Sequence, residues 1–498
     1  MAVSPTLNQA MSCDLSYCRE DWQRGYNSLY EEFDYWIDQI EGIIPPELEG
    51  TLFRNGPSLL DVKGQPIHHP VDVVGLVSAI AFTDGKAHFR NRYVRTAGYE
   101  AEQQAGKIVY RGVFGTQKPG GWLANAFDLR IKNIANTNVI YWGGKLLALW
   151  EAAEPYQLDP HTLETIRLDD LGGILQPSPA FSAHPWVDPA CVVDGSPRLV
   201  NFAIKPGLST TITRYELDEA GKLVDRSCHD VPGFAFIHDF AITPHYCVFF
   251  QNPVRFNPLP YLLGWRSAAE CIQFQPDQKT RIVVIPRFGK GSAQMIELQA
   301  GFVFHHANAF EQSDSLVVDS VCYADLPSVQ PDADFRQTDF SQLAPGQLWR
   351  TEINLKTETA QRRLLEARCC EFPTRHPARV GQPYRYLYLA AAHAPTGNGP
   401  HQAIIKVDVE SNDRQIWSAA TKGYVGEPVF IPRQQSLLEG AEDDGWVVTL
   451  VFDASHDRSD VVILDARNLN QGPIARLHLK HHIPYGLHGS FTSQCFLP

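Results

Sequence analysis

Eighteen histidines are spread along the 498-residue chain, and four of them stand in apolar, turn-flanked surroundings. These are Phe181-Ser-Ala-His184-Pro, Gly233-Phe-Ala-Phe-Ile-His238-Asp, Gly301-Phe-Val-Phe-His305-His306-Ala-Asn308, and Ile483-Pro-Tyr-Gly-Leu-His488-Gly. A histidine taken at random is more often a surface or core residue than a ligand, so context must select. A neutral imidazole suits iron, zinc or copper, and an apolar wall around it controls water access and redox behaviour.

The spacing of the four is regular. His238 follows His184 by 54 residues, His305 follows His238 by 67, and His488 follows His305 by 183, which is three steps of 61. Two glutamates fall on the same beat inside that last gap: Glu371 in Cys369-Cys-Glu371-Phe-Pro and Glu427 in Gly426-Glu427-Pro. One polar residue per structural repeat, each aimed at a common axis, would gather ligands and carboxylates around one ion. At His305-His306 only one side chain can face that axis, because neighbours on a strand point to opposite faces.

The elements that would position these residues read as short strands. Asn136 to Trp142 and Lys145 to Trp150 are joined by Gly143-Gly144, a hairpin signal because both turn positions tolerate positive φ. Similar units surround Asp84-Gly85 and Glu219 to Gly221, and Val448–Phe452 and Val461–Leu464 flank a longer polar turn. No βαβα rhythm is present, so the chain reads as all-β, and its length favours a seven-bladed β-propeller of four-stranded blades. Residues 1–498 are expected to form a single domain, with 1–40, rich in aromatics from Trp22 to Trp36, as an N-terminal strap. No WD or kelch signature marks the blades.

Composition narrows the partners. A net charge of −13 with no Lys/Arg run argues against nucleic acid. Ten cysteines at irregular intervals suggest reduced thiols. The first residues carry neither a secretory nor an Arg-rich transit pattern. No apolar run reaches the roughly 20 residues of a membrane span. A cytoplasmic protein is expected, with superficial membrane contact.

Several motifs together resemble the carotenoid cleavage oxygenases. They are Gly50-Thr-Leu-Phe-Arg-Asn-Gly-Pro57, Asn133-Ile-Ala-Asn-Thr137-Asn, Ala148-Leu-Trp-Glu151, Phe236-Ile-His238-Asp-Phe, Phe304-His305-His306-Ala-Asn308-Ala-Phe310 and Pro484-Tyr-Gly-Leu-His488-Gly. The resemblance runs from about Asp21 to the end. It implies a propeller capped by loops and short helices, with Fe(II) on the axis bound by His184, His238, His305 and His488. It also implies outer carboxylates, with Glu151 holding His238, Glu371 holding His305, Glu427 holding His488, and none for His184.

The activity so implied is cleavage of the 15,15′ double bond of an apocarotenoid by O₂ to give retinal and a second carbonyl fragment. Thr137 is expected beside the open metal positions, and Tyr26, Phe114, Trp150, Phe236, Phe304 and Tyr323 along the substrate tunnel. Stretches Gly115–Phe127 and Asn257–Trp265 are expected to meet a membrane, from which a nearly insoluble polyene must be drawn. His481 and His482 are expected in solvent. One departure from the family pattern stands at His69-Pro-Val71-Asp-Val73-Val74-Gly75, where relatives carry an aromatic in place of Val71 and an acidic glycine-rich turn after it. Alternatives are cleavage of full-length carotenoids or stilbenes at another bond, a zinc hydrolase, and a non-catalytic binding propeller.

Overall fold

The two-residue links read from the sequence are hairpin turns. Gly143 and Gly144 have φ of 58° and 74° and join the antiparallel strands Asn138–Trp142 and Lys145–Leu149. Asp84 and Gly85, also left-handed, join Leu76–Thr83 to Lys86–Tyr93. Ser209–Leu217 pairs with Leu223–Pro232, and Gly445–Asp453 with Arg458–Asp465. A computed structural model supplies these coordinates and describes residues 17–175, 180–289, 291–327, 334–433 and 440–497. Residues 1–16 of the expected strap, with Cys13, lie outside the described residues.

Hairpins assemble into seven sheets of four to six strands, arranged as the blades of a β-propeller. Each sheet starts on an inner strand: Asn138–Trp142, Trp186–Asp188, Ala241–Ile242, Phe302–Gln312, Cys370–Thr374, the broken pair Gly423–Val425 and Val429–Pro432, and Gly489–Thr492. Neighbouring inner strands touch around the axis, as where Phe302–Gln312 meets Ala241–Ile242 on one side and Cys370–Thr374 on the other. The cores lie between blades: Phe53, Val77 and Val139 pack in one interface, and Tyr388, Val447 and Val462 in another. Fully burying one such side chain contributes about 1.5–3 kcal/mol, so each interface outweighs the weak pairing at its rim.

Both chain ends close the ring. The last inner strand, Gly489–Thr492, pairs with Gly50–Arg54 in the register Arg54↔Gly489 and Thr51↔Thr492. Asp34–Trp36 forms the outer edge of that same blade, while Gln39–Gly42 edges the neighbouring blade against Pro473–His478. The strap is therefore partly sheet, preceded by the short helix Arg19–Arg24.

His481 departs from expectation. Its ring stacks on Phe33 at 3.7 Å, and burial, with His482 beside it, lowers its pKa to about 4. The exposed residue expected from its Lys-His-His context is instead a clasp for the N-terminal segment. His482 is likewise only half-exposed. Nine described cysteines are free thiols. Among the described residues no helix is long and apolar enough to cross a membrane.

A Cβ on Gly489 would lie 2.1 Å from the Phe53 carbonyl oxygen, so the closing pair tolerates no side chain there. Gly489→Ala is expected to cost about 1–3 kcal/mol through this overlap. It should lower the thermal midpoint and, because His488 is adjacent, the metal content measured by atomic emission on the same sample.

Candidate metal centre

His184, His238 and His488 stand at or just before the first residue of an inner strand, and His305 lies within one. Their ligand nitrogens all fall within 4.8 Å of one another, and Nε2 of His184 is 2.9 Å from Nε2 of His238. Three of the rings are oriented from behind. His238 Nδ1 donates to Glu151 at 2.7 Å, His305 Nδ1 to Glu371 at 2.6 Å, and His488 Nδ1 to Glu427 at 2.8 Å. A proton held on Nδ1 leaves Nε2 as a bare lone pair, the tautomer a metal requires. His184 has no carboxylate, and its backbone is fixed instead by its N–H to Ser182 Oγ.

The centre passes a direct test of fit. Among the described residues His305 Nε2 is buried with no hydrogen-bond partner, a loss that native interiors rarely leave unexplained. Burial, then repulsion from the other three imidazoles, pushes the His184 pKa well below its ordinary value, so that ring is neutral and free to ligate. Burial works against Glu371 ionising, yet His305 and three hydrogen bonds outweigh it and hold its pKa at about 2. Four converging imidazoles, three of them with a carboxylate behind, form a metal site, and the donor set suits a divalent first-row ion.

Local backbone geometry does the aiming. Around His305 the register slips between Val303 and His306, so one extra residue is inserted on that strand. Such bulges re-aim side chains next to functional sites. His306 then points away: its Nδ1 meets Ser320 Oγ at 2.7 Å, its N–H reaches Asp239, and its ring packs on Phe250. Burial, and His305 beside it, drop its pKa to about 3. A second slip follows Glu371, where Phe372 adopts a left-handed φ of 54° and its N–H donates to Glu371 Oε2. Strain of that kind persists only where the surroundings over-determine it.

Thr137 is buried, and its carbonyl accepts the His488 N–H at 3.1 Å. Tyr26 and Tyr323 line a largely apolar cavity of about 400 Å³. Tyr323 also donates to Glu371 at 2.9 Å, which ties the cavity wall to a ligand's carboxylate. Phe304 bridges the two regions, 5.6 Å from His238 and 5.8 Å from Tyr323, and Phe236 joins it through Phe302. Phe114 stands behind the wall, stacked on His69, and Trp150 is buried between Leu149 and Glu151. Val71 lines the cavity, so the departure from the family pattern falls on the cavity wall.

Other residues enter only with the structure. Arg54, from the first quoted motif, donates to both Glu427 and the Leu487 carbonyl. Phe372 packs against His305 and His488 and lines both the large cavity and a polar chamber of about 110 Å³. That chamber is bounded by His184, His305 and His488 and by Trp186, Asp239 and Arg375. Burial raises the Asp239 pKa and lowers that of Arg375 to about 10, while the guanidinium lies 4.0 Å over Trp186. Arg54, Asp239 and Phe372 lie inside segments quoted above, without a role assigned to them, whereas Trp186 and Arg375 lie outside those segments.

Fold and centre together define a β-propeller with a four-histidine metal centre on its axis. The chain belongs to the RPE65 family, described as retinal pigment epithelial membrane protein, whose model matches residues 26–493. It is 55% identical to the apocarotenoid-15,15′-oxygenase of Synechocystis sp. over 96% of this chain and 97% of that protein. It is 32% identical to the isoeugenol monooxygenase of Pseudomonas putida over 92% of this chain and 94% of that one. The crystal structure of cobalt-substituted Synechocystis ACO superposes with a TM-score of 0.94 at 54% identity, covering 96% of this chain and 99% of that chain.

Replacing any of His184, His238, His305 or His488 by Ala is expected to abolish metal retention, measured by atomic emission. His306→Ala should keep the metal while lowering thermal stability, since it removes only a buried hydrogen bond and packing. Metal loss in His306→Ala with retention in His305→Ala would reverse the assigned register.

Proposed function

We propose that the chain is a non-haem Fe(II) dioxygenase that cleaves the 15,15′ double bond of apocarotenals and apocarotenols to give retinal and a second carbonyl fragment. The observation that carries this reading is the four-imidazole cluster with its three carboxylate braces, in a chain 55% identical to an apocarotenoid-15,15′-oxygenase. Bound by His184, His238, His305 and His488, ferrous iron supplies the activation of O₂ that such a cleavage needs.

The remaining work belongs to the chain. Glu151, Glu371 and Glu427 hold three rings in the ligating tautomer and keep them from rotating. The Phe372 ring covers His305 and His488, and buried Thr137, whose carbonyl holds the His488 N–H, would help to keep solvent from the ion. The aromatic series Phe236, Phe302 and Phe304 links His238 by ring contacts to Tyr323, which lines the cavity that would take the polyene. Val71, smaller than the aromatic of the family pattern, widens the cavity for longer or bulkier substrates.

The substrate reaches the tunnel from a membrane surface. Two short helices, Gly121–Asn125 and Pro258–Leu262, are joined by the Phe127 N–H to the Leu262 carbonyl. Around them Trp122, Leu123, Phe127, Leu259 and Trp265 are all more than half exposed. A contiguous exposed apolar patch of this kind marks a docking face.

Two measurements test the reading. Reactions on a C₂₇ and a C₃₀ apocarotenal, resolved by chromatography, should share retinal as the ring-bearing product and differ only in the second fragment. A ring-bearing fragment that changes with chain length, or β-ionone in place of retinal, contradicts the assigned bond. Glu427→Gln should retain the fold and lower activity about 10–100-fold, the usual effect of losing a ligand's outer partner.

A further inference from the structure

One residue on the wall of the polar chamber is out of electrostatic balance. Arg375 follows directly on the inner strand Cys370–Thr374, and its guanidinium lies 4.0 Å over the ring of Trp186, which opens the inner strand Trp186–Asp188. Stacking engages the face of a guanidinium and leaves its in-plane N–H donors free. Among the described residues these donors meet nothing: Nε is buried without a partner, and Arg375 makes neither a hydrogen bond nor an ion pair. Burial lowers its pKa only to about 10, so the group is a cation at neutral pH.

The carboxylates on the same wall are taken by other donors. Asp239 accepts the Trp186 indole N–H at 3.2 Å, the Phe240 N–H at 2.7 Å and the His306 N–H at 2.8 Å. Glu427 is met by Arg54, by His488 at 2.8 Å and by the Gly489 N–H at 3.0 Å. An enclosed cation without a counter-ion is costly, and interiors seldom leave such donors unmet. Water fills donors but brings no opposing charge. The chamber of about 110 Å³ has room for more than one water. At about 30 Å³ for each water-sized group, it takes roughly three or four heavy atoms. A planar oxyanion of that size presents two oxygens to a guanidinium in the parallel fork that suits arginine. His184, His305 and His488 bound the same chamber, so a divalent ion on those neutral rings adds attraction for an anion there.

We propose that the chamber is a binding site for a small planar oxyanion of the carboxylate class, such as formate or bicarbonate, held by the Arg375 guanidinium through two parallel hydrogen bonds. Phe372 lines both this chamber and the large cavity, and its ring stands between the two. A small anion thereby reaches the histidine cluster without entering the cavity assigned to the polyene. The site does not depend on which substrate is cleaved.

Equilibrium dialysis of the ferrous protein against radiolabelled formate, with oxygen and polyene absent, tests this. A single formate per chain should bind saturably, with a Kd on the order of 1 mM, the range open to a ligand of so few atoms. Formamide matches formate in size but is neutral, and should compete at least about 10-fold less well. Benzoate carries the same carboxylate on a ring too large for the chamber and should not compete. Bicarbonate and acetate, added as competitors, rank the members of the class. Arg375→Met should weaken formate binding by about 10-fold or more, and Arg375→Lys, which keeps the charge without the fork, should fall between. Absence of saturable formate binding means that the chamber holds water alone and overturns the proposal. Competition by benzoate equal to that of acetate, or unchanged affinity in Arg375→Met, overturns it as well. The formamide and benzoate comparisons use the unaltered protein, so they decide the matter even if a variant misfolds.

Discussion

Four imidazole lone pairs pointed at one another are unfavourable without a cation between them, and this convergence is the constraint around which the molecule is built. Three of the rings cannot relieve it by turning or by moving their proton, because Glu151, Glu371 and Glu427 hold Nδ1–H from behind. The unpartnered Nε2 of His305 is the visible cost. A divalent ion removes that cost in the folded state alone, so metal binding and folding stability are coupled.

A propeller suits the constraint because each inner strand brings one residue to the axis from a different part of the chain. Thr137, His184, His238, His305, Glu371, Glu427 and His488 lie on or beside seven successive inner strands. Ring closure and metal centre are then one problem. The closing strand begins at Gly489, directly after His488, whose backbone is held between Asn55 and Thr137. Arg54, on the strand that receives it, pairs with Glu427, and the Gly489 N–H reaches the same carboxylate. Burying the guanidinium and carboxylate carries a large desolvation penalty, offset here because the carboxylate is met by Arg54, His488 and a backbone N–H together.

Much of this was legible in the sequence, and the reasons are specific. The four histidines stood out because each lies in an apolar, turn-flanked segment, and Glu371 and Glu427 because they keep the blade period. Gly143-Gly144 announced a hairpin because both positions need positive φ. Phe372 and Arg54 were not assigned roles, since one acts through a left-handed kink after Glu371 and the other through a partner 373 residues away. Arg375 and Asp239 line one chamber from different blades, which no local pattern encodes. His481 misled because a Lys-His-His string reads as solvated, whereas Phe33, from the opposite end of the chain, stacks on it.

X-ray absorption at the iron edge of the ferrous protein tests the central claim most directly, because multiple scattering from imidazole rings counts the histidines bound. The account predicts four imidazoles on the iron and no carboxylate, with the carboxylates of Glu151, Glu371 and Glu427 outside the coordination sphere. Three or fewer imidazoles, or a carboxylate bound directly to the iron, would contradict it.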